Sequence, residues 1–181
     1  MPEALSTRFA HDDAAGADTA AGRSSEATDM LLRQLVLATG PLHVLVYGPA
    51  GMSRLMPVAV ALRDSGGRVV ACEPDARRAP AIAAAIEEAG LSRYAEVSRK
   101  GIRQVLRELP WPIDLLVLGC PDEELLPVLR AAEPRLPPAS VILICGDHGF
   151  GEQLAEASPL VDSYVWSLPL RDGSVLAVRK F

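Results

Sequence analysis

The sequence predicts an α/β domain built on a doubly wound, mostly parallel sheet. From Leu42 to Phe181, short apolar runs alternate with stretches of helical periodicity. Four of those runs are almost wholly apolar, which requires burial on both faces, as in a parallel sheet covered by helices. Repeated strand–helix units of this kind wind with right-handed crossovers.

The elements follow in order. Residues Met1 to Glu26 are rich in Ala, Asp, Ser, Thr and Gly and poor in large apolar groups. Such a segment buries too little surface to offset its ordering entropy. It is expected to form a disordered or loosely docked arm over residues 1–26, with the folded domain spanning 27–181. From Asp29, the pattern Leu31, Leu32, Leu35, Val36 predicts a helix that Gly40-Pro41 ends. A first strand, Leu42 to Tyr47, leads to a helix from Arg54 to Arg63, stopped by Asp64-Ser65-Gly66-Gly67. Arg68 to Cys72 is the second strand. Asp75 is a candidate N-cap for a helix that Gly90 closes. A short strand, Ala95 to Ser98, precedes a helix from Ile102 to Glu108, and Ile113 to Leu118 is the fourth strand. Asp122 caps a helix through Ala132, and Val141 to Cys145 is the fifth strand. A short helix is expected over Gly151 to Ala157. Strands Ser163 to Leu168 and Val175 to Arg179 flank Arg171-Asp172-Gly173, and Asp-Gly between two strands signals an antiparallel hairpin.

Composition narrows the function classes. The net charge is −5 and no basic stripe runs along a helix, so nucleic-acid binding is not expected. Cys72, Cys120 and Cys145 are an odd set without a CxxC pair, which suits a reducing cytoplasm better than a disulfide framework. The N-terminal residues lack the pattern of a secretory signal. No apolar run approaches the roughly eighteen residues of a membrane span.

In an open parallel sheet, ligands bind outside the carboxyl ends of the strands. That rule selects Tyr47-Gly48-Pro49-Ala50-Gly51, Glu73-Pro74-Asp75, Gly119-Cys120-Pro121-Asp122 and Gly146-Asp147-His148. The first is a glycine turn that lets backbone approach a ligand closely. Glu73 follows it by about twenty residues, where nucleotide-binding sheets place an acid for the ribose hydroxyls. A carboxylate is acceptor-only and can take both O–H donors. A plain helix cap or a solvated acid remains the alternative at this position.

With these residues in view, a resemblance emerges. Val70-Ala-Cys-Glu-Pro-Asp75, the following Ala-rich helix and Ala89-Gly-Leu91 resemble the second-strand region of class I S-adenosylmethionine (SAM) methyltransferases. The small catechol O-methyltransferase-like group is nearest. Ile113-Asp-Leu-Leu-Val-Leu118 is similar to its fourth strand, and Leu168-Pro-Leu-Arg-Asp-Gly-Ser-Val-Leu-Ala-Val-Arg-Lys180 to its closing hairpin. The resemblance implies a Rossmann-like, seven-stranded sheet with a C-terminal antiparallel hairpin. It also implies methyl transfer from SAM to a small-molecule hydroxyl in a cytoplasmic, dimeric enzyme. Tyr47, Gly48, Gly51, Ser53, Glu73, Gly101 and Gly119 would form the cofactor site.

Metal-dependent members carry an Asp after strand four and Asp-Asn after strand five. This chain has Gly119 and Asp147-His148 there, so no divalent metal is expected. Asp147 and His148 are the candidates for catalysis, His148 as the base at the acceptor hydroxyl. The first glycine loop is one residue shorter than usual, and Lys100-Gly101 stands where the family has Gly-Asp. These departures keep a second expectation open: a methyltransferase-like domain that binds a ligand, acts as a scaffold or runs other chemistry without transferring methyl.

Overall fold

The computed structural model describes residues 26–146, 162–167, 169–170 and 172–181. Within them the chain forms helix α1 over residues 26–39, then β1 (His43–Tyr47), α2 (Pro49–Met52), α3 (Leu55–Ser65), β2 (Arg68–Cys72) and α4 (Arg78–Glu88). It continues with β3 (Ala95–Ser98), α5 (Ile102–Glu108), β4 (Leu115–Leu118), α6 (Asp122–Ala132), β5 (Val141–Ile144), β6 (Tyr164–Trp166) and β7 (Val175–Arg179). Apart from Glu26, the expected N-terminal arm lies outside the described residues, as does the expected helix over 151–157.

The strands join in one seven-stranded sheet of order β3-β2-β1-β4-β5-β7-β6. β1 to β5 are parallel, and β7 runs antiparallel to both β5 and β6. The expected architecture, parallel core and closing hairpin, is what the structure shows. The chain works outward from β1 to β3, then returns to place β4 on the other side of β1. The carboxyl ends of β1 and β4 therefore form the switch point.

Alternation along the strands explains the two cores. Leu45, Val70, Leu116, Leu118, Ile142 and Ile144 face α5 and α6. Val44, Val46, Val69, Ala71, Val117 and Leu143 face α1, α3 and α4. Successive strand residues point to opposite faces, so a strand covered on both sides must be apolar throughout. In α6 the acids Asp122, Glu123 and Glu124 occupy the first turn and Arg130 the last, matching the helix dipole.

Several boundaries differ from the sequence reading for local reasons. The β1 turn enters helix at Pro49, whose fixed φ suits a first helical position. Asp75 opens the turn before α4, its Oδ1 accepting the Arg77 N–H at 2.8 Å, and the helix itself starts at Arg78. β4 begins two residues late. Ile113 N donates to Arg135 O, and the Asp114 carboxylate accepts the N–H groups of Leu42 and His43, each at 2.9 Å.

One polar cluster ties the periphery to the sheet. Arg54, between α2 and α3, is 6% exposed. Its guanidinium pairs with Asp29 of α1 and, at 3.0 Å, with Asp172 of the β6–β7 turn. It also reaches the Cys145 thiol just past β5. Burial opposes ionisation of Asp172. Hydrogen bonds from Thr28 and Ser174 and the Arg54 charge outweigh it and hold the carboxyl below its ordinary value.

Removing the cation leaves Asp29 and Asp172 without the guanidinium they share. Arg54→Met is expected to lower stability by about 3 kcal/mol, read from the urea midpoint. The Asp172 contribution is present above the ordinary carboxyl value of about 4 and is lost as pH falls through the lower folded-state value. Asp172→Asn should accordingly flatten the acid limb of the stability–pH curve. An unchanged acid limb in that variant would show that other carboxylates control it.

Candidate functional site

At the switch point the turn after β1 closes on the end of β4. Gly48 has φ of 86°, a conformation that favours glycine. Its missing side chain is also a packing requirement: a Cβ there would lie 2.5 Å from Cys120 N. A Cβ on Gly119 would lie 2.0 Å from Gly51 N. Ala50 N donates to Gly119 O at 3.1 Å, and Gly119 N to Tyr47 O at 2.9 Å. The Ser53 hydroxyl donates to Ala50 O at 2.7 Å and fixes the same turn. Backbone contact thus accounts for Gly48 and Gly119, a Cβ on Gly51 would be tight at 3.3 Å from Gly119 N, and Ser53 buttresses the turn.

Tyr47 pairs in register with Cys72, which brings Glu73 beside Gly48 at the same edge. Glu73 is 3% exposed. A carboxylate so enclosed needs charge and hydrogen-bond partners. Its Oε1 accepts the Asp75 N–H at 3.0 Å and an Arg78 guanidinium N–H at 3.1 Å. Among the described residues Oε2 accepts no hydrogen bond. Glu73 opens on a crevice of roughly 410 Å³ lined by Pro49, Met52, Arg77, Arg78 and Ile82.

On the other face of the sheet lies a larger cavity of roughly 680 Å³ between α5 and α6. Tyr47, Gly101 and Ile102 line it, with Arg103 and Arg107 on one wall and Glu123 and Glu124 on the other. Nothing lies within 4 Å of where a Gly101 Cβ would be, so this glycine faces open space. The Tyr47 hydroxyl donates to Glu124 Oε2 at 2.7 Å. Burial, then the hydrogen bond to and charge of Glu124, push the phenol above its ordinary range.

The structure therefore gathers the cofactor candidates along one edge, with Glu73 in one opening and Tyr47 and Gly101 in the other. Asp147 and His148 lie outside the described residues. Among the described residues no group of His, Cys, Asp and Glu converges as a metal cage would, and no helix is long and apolar enough to cross a membrane.

Sequence reasoning missed Arg78. The signal was present: α4 starts with Arg77 and Arg78 and has no acid in its first turn. Cations at a helix N-terminus oppose the macrodipole, and such an anomaly points to an acid held nearby. It also missed Glu124, which its helical position left looking like an ordinary first-turn acid.

The three cysteines are buried and none forms a disulfide. Burial pushes Cys72 up to about 12. Burial, aided by Glu124, Asp122 and Glu123, takes Cys120 up to about 11. Cys145 is likewise raised by burial to about 11, although Arg54 partly offsets the rise. None has the depressed value of a nucleophilic cysteine.

By sequence, no protein-family model and no curated protein matches the chain. By structure it is similar to several methyltransferases. An O-methyltransferase from Bacillus cereus in complex with S-adenosylhomocysteine (SAH) superposes with a TM-score of 0.69 at 23% identity, covering 85% of this chain and 81% of that one. The O-methyltransferase TomG from Streptomyces achromogenes, involved in tomaymycin synthesis and in complex with SAM, gives 0.71 at 18%, covering 86% and 80%. An SAH-bound methyltransferase from Podospora anserina gives 0.71 at 15%, covering 85% and 78%. The chain has the fold of these methyltransferases.

At pH 8 each thiol is ionised only on the order of one part in a thousand or less. A thiol-reactive chromophore added to the native protein should label Cys72, Cys120 and Cys145 slowly, and all three promptly in denaturant. Rapid native labelling of Cys120 would show an activated thiol.

Proposed function

We propose that the chain is a SAM-dependent methyltransferase that methylates a small molecule at oxygen without a metal ion. The observation that carries this reading is Glu73, a buried strand-end carboxylate beside the β1 turn with Oε2 still able to accept. A vicinal diol is the donor pair that suits such a group. The class I fold, shared with structures that hold SAM or SAH, supports the same site.

In this reading Glu73 receives the ribose, and the cavity lined by Gly101 and Tyr47 receives the adenine ring. Ile102 and Val128 offer that ring apolar contact. Gly48, Gly51, Gly119 and Ser53 hold the turn that supports the amino-acid portion. The bound cofactor supplies an electrophilic methyl group on sulfonium.

Asp147 and His148 follow β5 in sequence and are the candidates for the chemistry at the acceptor. His148 would take the proton of the acceptor hydroxyl, with Asp147 as its neighbouring carboxylate, and SAM when bound would give up its methyl and leave as SAH. Gly119 at the end of β4 offers no carboxylate to a cation, so proton removal falls to a side chain. Three cysteines without a disulfide suit a reducing, cytoplasmic setting.

Isothermal titration with SAH tests the cofactor. Micromolar binding is expected, and Glu73→Ala should weaken it at least about a hundredfold through the lost charged hydrogen bonds. Absence of heat at millimolar SAH would reject the reading. Once an acceptor is in hand, His148→Ala should lower kcat by about a hundredfold or more, and Asp147→Ala by less. Full turnover in both variants would remove them from the mechanism.

A further inference from the structure

We propose that Arg78 is a built-in competitor for Glu73, with Asp75 as the carboxylate to which it retires when a ribose binds. This inference rests on the reading of Glu73 as the ribose acceptor and adds a residue that sets the affinity of that site.

The geometry places one guanidinium between two acids. Arg78 Nη2 lies 3.1 Å from Glu73 Oε1, and Arg78 Nε lies 3.6 Å from Asp75 Oδ2. The two carboxylates differ sharply in environment. The Glu73 side chain is 4% exposed and the Asp75 side chain 42%, while the Arg78 side chain is 55% exposed. Arg78 is thus a surface arm reaching inward, and its outer partner remains wet and accessible.

A ribose diol engages a carboxylate best through both oxygens. Here Oε1 already takes the Asp75 N–H and the guanidinium, and only Oε2 is open. A bound nucleoside must share the acid or displace the arginine. Displacement is inexpensive because Asp75 is already in range. Its other oxygen stays on the Arg77 N–H at 2.8 Å, so the turn is kept. Without a ligand the same arginine neutralises a carboxylate that would otherwise be buried unpaired. The pair therefore stabilises the empty site and weakens the filled one.

SAH binding measured by calorimetry distinguishes this from a merely structural ion pair. Arg78→Met should tighten SAH about threefold to tenfold, the worth of one partly exposed charged hydrogen bond. Asp75→Asn, which keeps the turn acceptor but removes the refuge, should weaken SAH about threefold. In the Arg78→Met background it should have no effect. Thermal melting checks that each variant is folded, and Arg78→Gln replaces Arg78→Met if the latter is not. Unchanged or weaker binding by the folded Arg78 variant, with wild type still binding SAH, overturns the inference and leaves the cofactor site standing. Additive effects of the two substitutions overturn the role given to Asp75. No binding by either wild type or variant at millimolar SAH removes the cofactor site and this inference together.

Discussion

The structure depends on a backbone contact at the centre of the sheet: the turn after β1 lies directly on Gly119 at the end of β4. β1 and β4 are neighbours in space but are separated in sequence by two further strands and the helices between them. Glycine at Gly48 and Gly119 lets the two backbones meet where any Cβ would intrude. The hydrogen bonds Ala50 N to Gly119 O and Gly119 N to Tyr47 O lock the meeting. Everything at the carboxyl edge is positioned by it. Tyr47 precedes the turn, Glu73 stands one strand away, and α6 starts just beyond Gly119.

The sheet behind that contact is held by burial. Both faces are covered, and the strands carry branched apolar residues at successive positions. Truncating one such Leu or Ile to Ala costs about 2–5 kcal/mol, so few polar groups can be carried inside. The two buried charged groups among the described residues, Arg54 and Glu73, come with partners. Arg54 stands between two carboxylates, and Glu73 has a backbone N–H and an arginine. The two cases differ in consequence. Arg54 joins α1, the α2–α3 junction and the hairpin turn, so its charges serve cohesion. Glu73 keeps one oxygen free at a crevice, so its charge is available to a ligand.

The arrangement also explains why several site glycines have unequal meaning. Gly101 faces open space at the larger cavity, whereas Gly48 and Gly119 are needed by the chain's own packing. The turn that closes on β4 leaves a strand-end acid, Glu73, at one crevice and Tyr47 at the cavity on the other face of the sheet. The chain has the fold of the methyltransferases it superposes on, with a β1 turn that closes on β4 through Gly48 and Gly119.

The sequence by itself determined the sheet, because two-faced burial writes itself as unbroken apolar runs and turns as Gly, Pro and Asp. It determined the closing hairpin through Asp172-Gly173, and the strand-end position of Glu73 by its distance from the first turn. Element ends were less legible. Pro49 opens a short helix that the sequence reading did not expect, the Asp75 turn shifted the start of α4, and the Asp114 side chain, bonded to Leu42 and His43 N–H, delayed β4. Only the tertiary structure decided which groups share a charge. Arg54 meets Asp172, and Tyr47 meets Glu124, across 118 and 77 positions of chain. Even the local pair of Arg78 and Glu73 needed the turn at Asp75 to fold the helix start back over the acid. Hydrophobic periodicity is a one-dimensional signal and survives in the sequence. The partner of a charge is set by three-dimensional proximity and desolvation, which the chain acquires only on folding.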